Sequence, residues 1–399
     1  MTHLKRMVLG LTVLASGLGC RPLSAERSPA TLTGGSVVAS SNAAAAQENP
    51  FEGANFYVNP DYAAAVASAP GTDPGDAARF AQVATNATAV WFDSIASTAQ
   101  ATRYLDDAAV KQGSSVAPVV ATFVIYDLPN RDCSALAAAG ELAVQSNGEA
   151  RYKSEFIGPI ASAFRAHPSV RIVAIIEPDS LGNLVTNLDK PKCKEAEGAY
   201  ERSIAYAIQA LSMPNVWVYL DAAHAGWLGW NGNRDKAASL FAEVMTSAGG
   251  QEKVRGFAIN VSNYDPVHAL PGKSRFPGNP SKDEATYIER LTESLARVGV
   301  RGKTFVIDTS RNGALTSGES WCNAGGAGLG ERPRASPMPL VDAYYWVKPP
   351  GESDGVSDPS APRYDAACGS KVSKPGAPQG GVFFSSYFAD LVANANPPL

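Results

Sequence analysis

Seven short apolar runs rich in β-branched residues, at 87–93, 118–126, 170–177, 215–221, 254–261, 303–308 and 342–348, constrain this chain more than any other feature. Helical patterns lie between most of them, as at 77–85, 198–211, 235–246 and 284–297. Strands that alternate with helices build a parallel sheet with right-handed crossovers. Polar or charged residues gather where the runs end: Asp93, Asp127 with Asp132, Glu177 with Asp179, Asp221, Asn260 and Asp308. Lys348, Glu352 and Asp354 follow the last run. Chemistry collected at the C-terminal ends of strands is the pattern of a β/α barrel. A doubly wound sheet also puts its site there, but no glycine-rich phosphate loop follows the first run. The expected fold is α/β, a parallel β/α barrel.

The 399 residues, 45% of them hydrophobic, are enough to bury a large core. With 38 acidic and 34 basic residues and no long basic run, nucleic acid is excluded as an expected partner. Lys5 and Arg6 precede an apolar stretch from Met7 to Leu18. It is too short for an ordinary membrane span and reads as part of an export signal over residues 1–25. Its end, Gly17-Leu18-Gly19-Cys20, resembles a lipoprotein leader with Cys20 as the acylated residue; ordinary cleavage near Ala25 is the alternative. Residues 26–48, rich in Ser, Ala, Thr and Gly, read as a flexible linker, and 49–399 as one catalytic-size domain with no transmembrane segment. Cys133, Cys193, Cys322 and Cys368 remain as an even set in an exported chain, hence disulfides of three possible connectivities.

Two stretches carry the acid–base chemistry: YDLPNRDC at 126–133 and IEPDSL at 176–181. Each follows an apolar strand, breaks at a proline and delivers an aspartate. A carboxyl beside an apolar strand end is partly desolvated, which raises its pKa and suits Asp179 to general acid work. Asp179-Ser180 also fits a helix N-cap, and Asp132 beside Arg131 fits a structural ion pair. Trp227 and Trp230 follow Asp221 in a glycine-rich loop, where flat indole faces suit sugar rings; Trp91 and Trp321 are further candidates. Trp217 lies within a strand and reads as core. His224 reads more readily as a hydrogen-bonded structural histidine than as a base. Four histidines, none paired at ligand spacing, point away from a metal site. No Gly-x-Ser-x-Gly elbow marks a serine nucleophile, and no cofactor is expected.

Taken in order, YDLPNRDC, IEPDSLGNLVTN, LDAAHAGWLGW, WCNAGGAGLGERP and WVKPPGESDG, continuing to SAPRYDAAC, resemble glycoside hydrolase family six, the cellulase family of cellobiohydrolases and endoglucanases. The resemblance runs from about Asn49 to the C-terminus. It implies a distorted seven-stranded parallel β/α barrel and inverting hydrolysis of β-1,4-glucan, with the polysaccharide as partner and a monomeric, secreted or cell-surface enzyme. By position it implies Asp179 as general acid, Asp132 as the neighbour that raises the acid's pKa, Tyr126 against the distorted sugar and Arg131 beside Asp132. Asp354 matches the carboxylate proposed as base, with a water chain serving Asp132 as the alternative, and Asp221 a further site aspartate. Trp91, Trp227, Trp230 and Trp321 match stacking positions; His224, Asn260, Lys348 and Glu352 match hydroxyl-binding ones. The disulfides it implies are Cys133–Cys193 and Cys322–Cys368. An inverting enzyme needs room for water, roughly 6.5–9.5 Å between acid and base carboxyls. Ala138 stands where the family often has a water-holding serine.

The long Pro/Gly-rich segment 351–381 favours exo over endo action, because loops that roof a site restrict it to chain ends. A non-catalytic surface glucan-binding lipoprotein would keep the tryptophans without needing Asp132, Asp179, Asp221 and Asp354 together. An unrelated barrel hydrolase of the retaining type is a further alternative.

Overall fold

In the computed structural model, residues 48–399 are described apart from 72 and 74. The expected leader, Cys20 and the expected linker up to residue 47 lie outside the described residues. Nine strands make one sheet: β1 (Asn55–Phe56), β2 (Val90–Phe92), β3 (Val119–Ile125), β4 (Arg171–Ile176), β5 (Val216–Asp221), β6 (Gly256–Ile259), β7 (Thr304–Asp308), β8 (Arg334–Met338) and β9 (Val341–Tyr345). The order is β1-β3-β4-β5-β6-β7-β9-β8, with β2 also paired to β3. Each of the seven expected runs holds one strand, and these seven pair in parallel as a curled half-barrel.

Two strands were not expected. β1 is two residues long and shares the edge of β3 with β2: Asn55 and Phe56 face Val119 and Val120, while Val90–Phe92 faces Phe123–Ile125. β8 runs antiparallel to β9, so the sheet is mixed rather than wholly parallel. Its sequence, RASPM, carries a proline and a left-handed Ser336 (φ 47°), which only an edge strand tolerates. The distortion is at the seam. Between β2 and the chain beyond β9 there is one parallel bridge, Thr88 to Trp346, with Ala89 N–H on Trp346 O at 3.1 Å.

Period-two alternation divides the strands between two cores. Val120, Val124, Val173, Ile175, Tyr219, Ala258, Val306 and Ala343 fill the interior, with Phe51 and Tyr345 packed 5.8 Å apart. The intervening residues, such as Phe123, Ile172, Leu220 and Phe257, pack outward against the helix faces of Tyr200, Ile204, Phe241 and Leu291. Burial on both faces is why the runs read as continuously apolar. Helix Glu284–Arg297 shows how one such face is built. Asp283 caps it by accepting the Thr286 N–H at 2.8 Å, and Tyr287, Ile288, Leu291 and Leu295 form its buried stripe.

Both implied disulfides are present. Cys133–Cys193 ties the chain after β3 to helix Pro191–Leu211, and Cys322–Cys368 closes the C-terminal strap.

Candidate active site

A cleft of about 430 Å³ opens at the C-terminal ends of the strands. Trp91, Tyr126, Arg131, Asp132, Asp179, His224, Trp227, Trp321, Lys348, Glu352 and Asp354 all line it, so loops after five different strands converge there. Left-handed backbone is concentrated at these exits: Asp132 (φ 47°), Glu177 (φ 50°), Asp179 (φ 65°) and Ala223 (φ 52°). Such conformations cost free energy in non-glycine residues and persist where surrounding bonds over-determine them. Here Asp221 supplies two of those bonds. Its Oδ1 accepts the N–H of Asp179 and of Ala223, each at 3.0 Å. Asp221 itself does not line the cleft.

Asp179 sits half-buried in the wall. Burial pushes its carboxyl well above the ordinary carboxylate range, and the charges of Asp132, Asp221 and Asp354 push the same way. Asp132 is buried at the end of the YDLPNRDC stretch, where it accepts the Tyr126 hydroxyl. Burial raises it too, against that hydroxyl and the positive charges of Arg131, Lys192 and Arg363. Asp221 is pushed by burial up to about 7, with the two N–H bonds acting the other way. Tyr126 meets Trp91 edge-on with ring centroids 5.4 Å apart, and Arg131 lies 4.3 Å over its other flank.

Asp354 has a different environment. Arg311 Nη1 donates to both its oxygens, at 2.9 and 2.8 Å. The Tyr264 hydroxyl (2.9 Å) and the Asn323 N–H (2.8 Å) add to Oδ2. Next to it, burial lifts Glu352 up to about 7, opposed by Lys348, whose Nζ is 3.9 Å away. Lys348 Nζ also lies 5.5 Å over the Trp91 ring.

Some expected residues are placed otherwise. Arg131 is buried as part of a loop clamp. Its guanidinium pairs with Asp127 at 3.6 Å, not with Asp132, and donates to the carbonyls of Asp93 (2.6 Å), Tyr126 (2.5 Å) and Ala138 (2.9 Å). Asn260 is fully buried and does not reach the cleft. Its amide donates to Asp265 O (3.1 Å) and Asp308 O (2.9 Å), and its carbonyl accepts from Asp265 N–H (3.0 Å). Trp230 lies outside the lining, 38% exposed on the nearby surface. His224 lines the cleft with its Nδ1 2.8 Å from Asp265, whose second partner is Arg275 at 2.5 Å. Although burial opposes it, His224 and Arg275 hold Asp265 down at about 2.

His224, Asp265 and Glu284 form a group whose ligand atoms lie within 4.8 Å of one another, the one such group among the described residues. Arg275 already neutralises its most acidic member. Sequence reasoning missed Asn263, Arg275, Phe276 and Arg363 in the lining and Arg311 beneath Asp354. Arg311 stood three residues beyond the end of β7 and carried a readable signal, a cation at a strand exit. The others lie in loops with no period.

Segments 134–140 and 353–381 meet over one side of the cleft. Arg363 donates to Ala137 O at 2.7 Å, and Leu136 N–H donates to Asp365 at 3.1 Å. Ala137 packs on the Cys322–Cys368 bridge.

Comparison with known proteins agrees with this geometry. Exoglucanase 3 of Agaricus bisporus is 42% identical over 357 residues, covering 88% of this chain and 80% of that protein. Exoglucanase 2 of Hypocrea jecorina is 42% identical over 358 residues, with 88% and 75% covered. Among solved structures, the CcCel6A catalytic domain complexed with p-nitrophenyl β-D-cellotrioside superposes with a TM-score of 0.84 at 43% identity, covering 88% of this chain and 99% of that one. Cellobiohydrolase II (Cel6A) from Humicola insolens, in complex with glucose and cellotetraose, gives 0.84 at 39% identity, covering 88% and 100%. The sequence profile of Glycosyl hydrolases family 6 matches residues 51–395, and the chain belongs to that family.

Proposed function

We propose that the chain is a cellobiohydrolase that hydrolyses β-1,4-glucosidic bonds with inversion, releasing cellobiose from chain ends. The observation that carries this is the unlike surroundings of two carboxyls in one cleft. Asp179 is desolvated among like charges, whereas Asp354 is bonded on both oxygens by Arg311. Burial keeps the proton on the first, and the Arg311 guanidinium holds the second in an ion pair. Asp179 gives its proton to the glycosidic oxygen as the C1–O bond breaks. Water then attacks C1 from the opposite face and loses its proton to a carboxylate.

Asp354 has its oxygens taken up by four donor contacts, so its part is to hold negative charge beside the developing oxocarbenium ion. Asp132, hydrogen-bonded to Tyr126, is the acceptor reached through water. Trp91, Trp227 and Trp321 supply stacking faces, and Lys348 and Glu352 supply hydroxyl contacts. Trp230 extends the platform beyond the cleft.

The meeting of 134–140 with 353–381 supports exo action, since a roofed site admits a chain end more readily than a chain middle. The relatives named as exoglucanases support it as well. A non-catalytic glucan binder has no use for this set of buried acids.

We read residues 1–25 as the export leader, 26–48 as a tether and 49–399 as a monomeric catalytic domain working outside the cell, where its two disulfides persist. Acylation at Cys20 is tested by mass spectrometry of the mature N-terminus. No helix among the described residues is long and apolar enough to cross a membrane.

Asp179→Ala tests the chemistry: hydrolysis of cellotetraose should collapse while binding persists, and undiminished hydrolysis would overturn the acid assignment. Product analysis tests the mode. Mainly cellobiose with little loss of viscosity is expected from a soluble cellulose derivative, and a rapid viscosity drop would mark an endoglucanase.

A further inference from the structure

The ladder between β3 and β4 ends at the bond from Glu177 N–H to Ile125 O, 2.8 Å long. Beyond it a side chain takes over. Glu177 Oε1 accepts the N–H of Asp127 at 3.1 Å, and Oε2 accepts the N–H of Leu128 at 3.4 Å. The Tyr152 hydroxyl adds a third donor at 2.8 Å on Oε1. Glu177 and Tyr152 are fully buried, so water cannot replace these bonds. The main chain of Glu177 is pinned too. Its carbonyl accepts the N–H of Ser180 at 3.3 Å and its hydroxyl at 2.5 Å, enclosing Asp179 in the turn. Asp127 follows Tyr126 directly, and Asp179 lies two residues past Glu177. One carboxyl therefore spans the two strand exits that carry the chemistry.

We propose that Glu177 is a positioning residue for bond cleavage: its carboxyl locks the Tyr126–Asp132 segment against the Asp179 turn and so sets where the acid's proton stands relative to the scissile oxygen. This rests on the reading of Asp179 as the acid. Tyr126 and Trp91 grip the sugar on one side of the lock, and Asp179 is carried on the other. Slippage there displaces the proton donor without touching the stacking faces. A displacement of about 1 Å at such a point costs on the order of a hundredfold in rate.

Glu177→Gln keeps the shape but turns its NH₂ toward one of the two backbone N–H groups, of Asp127 or of Leu128, that each bond a separate carboxylate oxygen. The test compares two substrates. Cellotetraose needs its leaving group protonated; a 2,4-dinitrophenyl cellotrioside does not. Glu177→Gln should lose about 10- to 100-fold in kcat on cellotetraose with KM within about twofold, and less than about threefold on the dinitrophenyl substrate. An unchanged kcat on cellotetraose, or equal losses on both substrates, overturns the proposal. Tyr152→Phe removes one donor and leaves both amides, and carries the same comparison at a smaller, selective loss if Glu177→Gln does not fold. Asp179→Ala separates the two levels. If it retains cellotetraose hydrolysis, the acid reading itself fails. If it is inactive while Glu177→Gln and Tyr152→Phe behave as wild type, only the positioning role fails.

Discussion

Acids at the strand exits divide by what their oxygens meet. Asp132 and Asp179 face the cleft, while Glu177, Asp221 and Asp308 turn back onto backbone amides of neighbouring strands. Asp308 accepts from Ser262 N–H (3.0 Å), Ser310 N–H (2.9 Å) and Lys348 N–H (3.0 Å), which makes it a clamp like Asp221 and Glu177. The division gives opposite predictions for two aspartates that both line the site. Asp354→Asn strands Arg311, which is completely buried, without its counter-charge. Breaking a buried pair on one side costs about 3–5 kcal/mol, so the melting temperature should fall together with kcat. Asp132→Asn removes a carboxyl that burial already disfavours as an anion, and should lower kcat steeply while leaving the melting temperature within a degree or two or raising it. Differential scanning calorimetry on the two variants decides this, and equal destabilisation would contradict the assigned surroundings. Sequence alone presents Asp132, Asp221 and Asp308 alike, each near an apolar run. Orientation separates them, and orientation depends on which neighbouring loop leaves an amide unpaired.

At the scale of elements, the parallel strands were legible because burial on both faces writes an unbroken apolar run into the sequence. β1 and β8 were not: one is too short to show a period and the other is a polar edge. The strap after β9 was legible as a long Pro/Gly-rich segment but its anchorage was not, because hydrogen bonds such as Ser353 N–H to Val382 O (2.9 Å) and Phe384 N–H to Gly351 O (2.7 Å) leave no pattern. The strap leans on the Cys322–Cys368 bridge at Gly355, where an added Cβ would come within 2.6 Å of Cys368 Sγ and 2.7 Å of Ala137 Cβ. Only glycine lets the strap and the 134–140 loop approach so closely. The Cys322→Ser/Cys368→Ser double variant should therefore loosen the roof. Removing a bridge of 46-residue separation costs about 4 kcal/mol in the chain-entropy account. The product spectrum should shift toward internal cleavage, with a faster viscosity drop per reducing end formed. An unchanged ratio of viscosity loss to reducing ends would mean that the roof does not set the mode of attack. Ala138→Ser, in the same loop, asks a separate question. If the missing hydroxyl limits water placement, kcat should rise with KM unchanged, since Arg131 already fixes the Ala138 carbonyl.

Across the whole molecule, the burial that readies the site for proton delivery also sets how stability varies with pH. Burial lifts Asp127 to about 8, and Asp221 and Glu352 to about 7. Asp179 and Glu284 move the same way. In the unfolded chain all of these titrate near pH ~4. Between about pH 4 and 8 the folded protein therefore holds protons that the unfolded chain has released. Stability falls with rising pH wherever the native state binds more protons, so it should decline through that window. Asp265, held at about 2, acts in the opposite sense, and its contribution is lost only as pH drops below the ordinary carboxylate range. Lys303, which burial lowers to about 8, regains stability for the fold only above that value. The melting temperature should accordingly be highest at mildly acidic pH and fall steadily toward pH 8. Asp127 tests the cause without touching the cleft. Both its oxygens are buried without a hydrogen bond among the described residues, and Arg131 stands 3.6 Å away. Asp127→Asn cannot ionise, so it should flatten the decline across the window from about pH 4 to 8 while leaving the slope below pH ~4 unchanged. A wild-type melting temperature that is level or rising from pH 4 to 8 would show that these carboxyls do not keep their protons in the fold. In that case the same desolvation could not be what keeps Asp179 protonated for its work.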